Sequence, residues 1–146
     1  MATHQTFCKG LPRAIAAELG DAMPPHHLAL SYQVKLWSGN KDLHYECGVF
    51  PQRKVIELGL HFESDAMTNL QLLGAFKARS KAIARKLPTA RIEAWDKGWT
   101  RVWESIPLAR FDEAYSALVT KRLARYIEVL EPMLEDDIPA AVRWSR

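Results

Sequence analysis

Hydrophobic and polar residues alternate along three consecutive segments in the first half of the chain, His27–Trp37, Leu43–Phe50 and Lys54–Glu63. A period of two is typical of a strand that buries one face. Turn-forming residues at 38–41 and 51–53 separate the segments, so the sequence predicts an antiparallel meander. The side chains expected to face the core are Leu28, Leu30, Tyr32, Val34, Leu36, Leu43, Tyr45, Cys47, Val49, Ile56, Leu58, Leu60 and Phe62.

Apolar residues recur at helical spacing in other segments, which we expect to cover this sheet. The predicted helices are Leu11–Met23, with Pro12 tolerated in its first turn, a second from an N-cap at Ser64 to about Lys86, and a third from Arg110 or Phe111 to Leu134. The residues expected to form the buried stripes of the last two helices are Leu70, Leu73, Phe76, Ile83, Leu87, Leu118, Leu123, Ile127, Leu130 and Leu134.

A second hairpin is predicted between those two helices, from Arg91–Trp95 and Thr100–Ile106. The element order α-β-β-β-α-β-β-α then indicates an α+β fold. We expect a single domain over residues 1–146, with a two-layer, five-stranded antiparallel sheet and helices on one face. The tail, 135–146, is expected either to be partly ordered through Ile138 and Trp144 or to be flexible.

Two resemblances follow from these elements. The stretch from His44 to Leu134, with its TRVWESIP hairpin strand and a closing helix near Glu131-Pro132, resembles an uncharacterised bacterial domain family found beside nuclease-like domains. That resemblance implies a bacterial origin and an association with DNA-directed systems, and it carries over no catalytic residue. The element order is also similar to that of type III secretion chaperones, which are typically acidic, whereas this chain is basic.

Composition narrows the classes of function. The 20 Lys and Arg residues exceed the 17 Asp and Glu residues by only three, so the charge permits a nucleic-acid partner without favouring one. The two cysteines, Cys8 and Cys47, are too few for a disulfide scaffold and lack the closely spaced Cys or His partners of a zinc site, so we expect two unpaired thiols. No apolar run has the length of a signal or a membrane span, so we expect a cytoplasmic protein.

The polar face of the meander carries the histidines and glutamates that are candidates for a functional site. One allowed register of the last two segments pairs His44 with His61, Glu46 with Gly59 and Gly48 with Glu57. A matching register places Lys35 beside His44, and Glu46, Glu57 and Glu63 then lie close to the two histidines. Two imidazoles and nearby carboxylates can ligate a divalent metal. The predicted metal ligands are His44, His61, Glu46 and Glu57, and the alternative is an ordinary polar sheet face whose cross-strand pairs add modest stability.

Aromatic and basic residues on the same face are candidates for binding a partner. Trp37 and Trp95 are expected to point outward, near Lys35 and Arg101, where they could stack on bases or anchor a protein. A two-residue turn at Lys97-Gly98 would place Trp103 in the core and Arg91 across from Glu104. The alternative is that the indoles are simply packed.

No motif of phosphate-loop, dinucleotide-binding or serine-hydrolase type occurs in the chain. The sequence therefore favours a non-enzymatic binding or interaction module that associates with itself or with another protein. Nucleic acid is a further candidate partner, and a membrane is not. The alternative is a small metal-dependent enzyme that uses the His/Glu cluster, in which case a divalent metal is its cofactor; otherwise no cofactor is expected.

Overall fold

The computed structural model describes residues 3–139 of the chain, and within that range it has a six-stranded antiparallel sheet in the order β1-β2-β3-β4-β6-β5. The strands are β1 His26–Ala29, β2 Gln33–Trp37, β3 Leu43–Phe50, β4 Val55–Phe62, β5 Arg91–Ala94 and β6 Thr100–Pro107. The helices are α1 His4–Leu19, α2 Ala66–Ala78, α3 Ser80–Lys86 and α4 Glu113–Asp137, with short 3-10 turns at Gly20–Ala22 and Asp96–Gly98.

The α+β class and the antiparallel sheet are confirmed, but the sheet has six strands and not five. The first predicted strand is two strands, because the chain reverses after Ala29 and the Leu30 amide donates to the Gln33 carbonyl at 2.8 Å. β1 consequently lies at the sheet edge, and Leu28, Leu30 and Tyr32 are 38, 46 and 48% exposed. Their predicted inward orientation was wrong.

The register of β3 against β4 is the predicted one, with His44 opposite His61 and Glu46 opposite Gly59. The register of β2 against β3 differs by two residues, because Lys35 pairs with Glu46 and not with His44. A shift of two residues keeps every side chain on its predicted face and moves its cross-strand partner by two residues along β3.

The register of the second hairpin differs from the predicted one by one residue, so side chains of β6 lie on the opposite face from the one expected. Its connection spans Trp95–Trp99 and is closed by the Trp95 amide donating to the Trp99 carbonyl at 2.9 Å. Arg91 therefore pairs with Trp103, which places Trp103 on the polar face and not in the core. Glu104 then faces the helices, where it accepts hydrogen bonds from Tyr126 and Arg122.

The helix ends differ from the predicted ones where a better cap exists. Thr3 caps α1, so this helix begins seven residues early and Pro12 lies inside it. Asp65, and not Ser64, caps α2 by accepting a hydrogen bond from the Thr68 amide. The predicted second helix is broken at Arg79 into α2 and α3. Leu70 and Leu118 were predicted to be buried and are exposed.

One hydrophobic core joins the inward face of the sheet to apolar side chains of all four helices. Tyr45, Phe62 and Phe76 are among its largest fully buried side chains. Ile138 packs against this core, and Trp144 lies outside the described residues. No helix within residues 3–139 is long and apolar enough to cross a bilayer. The opposite side of the sheet, here called the outer face, carries the candidate site.

Candidate metal centre

Two copies of a His-x-Glu motif meet on the outer face. His44 and Glu46 lie on β3, while His61 lies on β4 and Glu63 directly follows it. Because the strands are antiparallel and the two histidines pair, Glu46 and Glu63 flank the histidines from opposite ends. We call these four residues the HxE cluster.

The four side chains converge closely enough to share one ion. His44 Nε2 lies 3.1 Å from a Glu46 oxygen and 3.9 Å from a Glu63 oxygen. His61 Nδ1 lies 3.0 Å from the other Glu63 oxygen. One donor atom from each residue falls within 4.8 Å of all the others. Ligands of a tetrahedral zinc ion lie roughly 3.4 Å apart, so small side-chain rotations would close the site around an ion.

The cluster is largely shielded from water. His44 and His61 are 2 and 3% exposed, and Glu46 is 8% exposed. The two imidazole rings stack with their centroids 5.6 Å apart. Since burying a charged group without a partner is costly, the carboxylates need neighbouring donors or cations to compensate them.

The hydrogen bonds of His44 fix the roles of its two nitrogens. Its Nδ1 lies 2.8 Å from the Lys41 carbonyl oxygen, which can only accept, so Nδ1 carries a proton. Its Nε2 therefore faces the Glu46 and Glu63 carboxylates either with a second proton or with a lone pair directed at a cation. Histidines that bind metals commonly have this donation to a backbone carbonyl from the other nitrogen.

The electrostatics favour an ionised Glu46. Burial alone would raise the pKa of this carboxyl, but the hydrogen bond from His44, the charge of His61 and a hydrogen bond from Gln33 outweigh it and lower the pKa to about 2. Glu46 is consequently an anion at any pH at which the protein is ordinarily handled, and it is ready to bind a cation.

Glu57 was predicted as a metal ligand, and the structure places it differently. It lies on β4 four residues from His61 and on the same face, but its carboxylate bonds to Arg53 at 2.8 Å and to Arg101 at 3.2 Å. Two guanidinium partners satisfy this carboxylate, so Glu57 is not in the HxE cluster and Glu63 takes its place.

Arg101 and Trp95 lie against the cluster on the β6 side. Arg101 pairs with His61 across the strands, and its guanidinium carbon lies 4.1 Å from the Trp95 ring centre and 3.7 Å from that of Trp103. The Trp95 ring meets His61 edge-on, with centroids 5.5 Å apart. These aromatic groups are half-buried or buried by one another, so a large part of their surface is packed within the protein.

The other two predicted binding residues lie on the far side of the cluster. Lys35 pairs with Glu46. The Trp37 ring stacks on His26 with centroids 5.7 Å apart, and the Lys41 ammonium lies 5.5 Å from its centre. β2 and β6 are separated by β3 and β4, which puts Trp37 about 14 Å from Arg101 at the usual strand spacing. The four residues therefore do not form one patch.

Sequence reasoning placed Glu63 close to the two histidines but did not include it among the metal ligands. A pattern that identifies it was present, because the second His-x-Glu repeats the first and antiparallel pairing of the histidines brings both glutamates to the same centre. It also missed the outward orientation of Trp103, which depends on the length of the β5–β6 connection.

Comparisons with known proteins add little to this geometry. No protein-family model and no curated protein matches the chain. A solved structure that resembles it is that of YbjN, a proposed transcription regulator from E. coli, with 16% identity and a TM-score of 0.41 over 85% of this chain and 90% of that one. A likeness this distant carries no function across, and the two resemblances drawn from the sequence stay predictions.

Proposed function

We propose that the protein is a binding module that holds one divalent metal ion in the HxE cluster. The observation that supports this proposal most is the orientation of His44. Its Nδ1 is committed to the Lys41 carbonyl, and its Nε2 is directed at carboxylate oxygens. This arrangement orients a neutral imidazole so that its lone pair meets an ion shared with Glu46 and Glu63.

Charge balance also favours an ion. Glu46 and Glu63 carry two negative charges when ionised, and without a metal both imidazoles would need to be protonated to neutralise them. Two positive rings 5.6 Å apart repel each other by about 3 kcal/mol at an effective dielectric constant near 20. A divalent cation supplies the same charge at one point between the four donors, and leaves both rings neutral.

The types of ligand atom limit which metal ions the cluster can bind well. Two imidazole nitrogens with two carboxylate oxygens suit zinc, and also iron, cobalt, nickel or manganese, which accept mixed nitrogen and oxygen ligands. Calcium and magnesium prefer oxygen ligands alone, so we expect them to bind far more weakly.

Calorimetric titration of metal-free protein with Zn²⁺ tests this proposal. We expect one ion per chain, and a gain of about 2.7 kcal/mol in unfolding free energy when free zinc is at a hundred times its dissociation constant. His61→Ala should weaken binding by more than about 100-fold, because removal of a ligand costs at least as much as removal of the groups that orient it.

Glu57→Gln provides the matched control. Glu57 lies on the same strand as His61 and on the same face, but it bonds to Arg53 and Arg101. Its substitution should leave zinc affinity within a few-fold of the wild type, whereas Glu63→Gln should reduce it strongly. Equal losses for the two variants, or no zinc binding by the wild type, would contradict the proposal.

A second candidate function, association with a protein or with another copy of the chain, rests on the β1–β2 hairpin. Leu28, Leu30 and Tyr32 are exposed together at a sheet edge, where the main chain of β1 has pairing groups on its open side. Sedimentation velocity over a range of concentrations tests self-association. If the wild type is a monomer at every concentration, and Leu30→Ser sediments in the same way, self-association through this hairpin is excluded.

A further inference from the structure

The most unusual polar groups beside the HxE cluster are two donors with no acceptor. Among residues 3–139, the buried side-chain nitrogens without a hydrogen-bond partner are Trp95 Nε1 and Arg101 Nε. Leaving a buried donor unsatisfied is costly, so folded proteins nearly always provide an acceptor for it, either from the chain or from a bound molecule. Here two such donors occur in one group of stacked side chains.

Both donors belong to residues that contact the proposed metal centre. The Arg101 guanidinium lies against the Trp95 ring, and Trp95 in turn meets His61 edge-on. Arg101 also pairs directly with His61 across β4 and β6. The Arg101 side chain is more than nine-tenths buried, and Glu57 binds only its NH1 end. The Arg101 Nε is buried and has no acceptor among the described residues.

We propose that Arg101 and Trp95 bind a small oxyanion, a carboxylate or phosphate group, next to the metal ion of the HxE cluster. The inference rests on the proposed metal site. A guanidinium N–H and an indole N–H are both donors only, so the group that satisfies them must be an acceptor. An oxyanion offers several acceptor oxygens, of which one can contact the metal while others accept from these two donors.

Such a ligand also completes the coordination of the ion. Four protein donors fill a tetrahedron but leave open positions on an ion that takes five or six ligands. The Arg101 charge offsets the extra negative charge that the oxyanion brings to a centre already neutralised by Glu46 and Glu63.

Access to the pair depends on Trp95. This residue is half-buried and begins the connection between β5 and β6, whose next three residues, Asp96–Gly98, are exposed. Trp103 is held in place because its indole nitrogen donates to Glu93 at 2.7 Å, so Trp95 is the indole that would move to admit a ligand. Trp95 would therefore act both as a cover and as a donor.

The test uses the protein loaded with one Co²⁺ ion, whose visible absorption responds to a change in its ligands. Inorganic phosphate and acetate are titrated separately, and the spectrum and the dissociation constant are recorded for each. We expect the spectrum to change with at least one of them. Tighter phosphate than acetate would identify a phosphate site, and the reverse a carboxylate site.

Trp95→Phe keeps the ring over Arg101 and removes only the indole N–H. Because a hydrogen bond to a charged group is stronger than one between neutral groups, this variant should weaken anion binding by about tenfold or more. Its affinity for cobalt alone should not change. Trp99→Phe, in the same connection, serves as the control and should bind the anion as the wild type does.

The outcomes separate this inference from the proposed metal site. Cobalt binding with no effect of either anion, or anion affinity equal in Trp95→Phe and wild type, would overturn the oxyanion site and leave the metal proposal standing. If no metal binds, the metal proposal fails. In that case, phosphate binding to the metal-free protein would still support an anion site at Arg101 and Trp95, provided that Trp95→Phe weakens this binding. No phosphate binding to the metal-free protein would overturn the anion site as well.

Discussion

The ionised state of Glu46 should be visible as a pH dependence of stability in the metal-free protein. Its interactions with His44, His61 and Gln33, which outweigh the effect of burial, lower its pKa from 4.5 to about 2. That difference corresponds to about 3 kcal/mol in favour of the folded state when both states are ionised.

Because the pKa of Glu46 is lower in the folded protein, acidification should reduce the stability of the protein. A carboxyl whose pKa is lower in the folded protein contributes its full stabilisation above the pKa of the unfolded chain, near 4.5, and loses it as the pH falls towards about 2. By linkage, about 2 kcal/mol of this contribution should be lost between pH 6 and pH 3.

Urea unfolding of the metal-free wild type and of Glu46→Gln at a series of pH values measures how much the Glu46 carboxylate contributes to the free energy of unfolding. The variant should be less stable at pH 6 by up to about 3 kcal/mol, and the gap should shrink by about 2 kcal/mol at pH 3. Glu128→Gln, at an exposed position of α4, should follow the wild type. A gap between wild type and Glu46→Gln that stays constant over this range would refute the reasoning.

Two other regions give simple predictions. Gly59 lies opposite Glu46, and a Cβ there would come within 2.1 Å of the Val102 carbonyl oxygen, so Gly59→Ala should destabilise the protein by well over about 2 kcal/mol or prevent folding. Gly74→Ala, on an open face of α2, should instead stabilise it by about 0.5–1 kcal/mol in the same urea assay. Burial raises the pKa of the Cys8 thiol to about 11 and that of Cys47 still further, so a thiol reagent at pH 8 should label both in urea and neither in the folded protein. Rapid labelling of the folded protein would show that this part of the core opens readily.

The central register of the sheet could be predicted from the sequence for a physical reason. Leu58, Leu60 and Phe62 must face the helices, and this requirement fixes which residues of β4 point outward. The pairing of His44 with His61 was one of the few registers compatible with that constraint. The metal ligands on these two strands were therefore partly accessible to sequence reasoning.

The choice between Glu57 and Glu63 was only partly accessible, because the repeated His-x-Glu pattern favours Glu63 whereas parity places Glu57 on the same face. Glu57 on β4 and Glu63 directly after it share the outer side by parity, and their roles differ because Arg53 and Arg101 bind Glu57. The sequence did not reveal that β6 is the neighbour of β4, since β5 comes first along the chain. A contact between strands distant in sequence decided the composition of the site.

The two errors of strand pattern have a common cause. Alternation through Leu28, Leu30 and Tyr32 continues across a turn at which the chain reverses, so the pattern alone cannot distinguish one long strand from a hairpin. In the second hairpin, a connection that is longer than two residues moved Trp103 to the other face. Turn geometry acts locally, and hydrophobic periodicity does not record it.

Anomalous diffraction at the zinc absorption edge, from crystals of the protein grown with one equivalent of Zn²⁺, tests the central claim most directly. We predict one strong peak between His44 Nε2, Glu46, His61 and Glu63, with zinc–nitrogen distances near 2.0–2.1 Å. A map with no peak at these four residues, or with its strongest peak on Glu57 or elsewhere on the surface, would contradict the account.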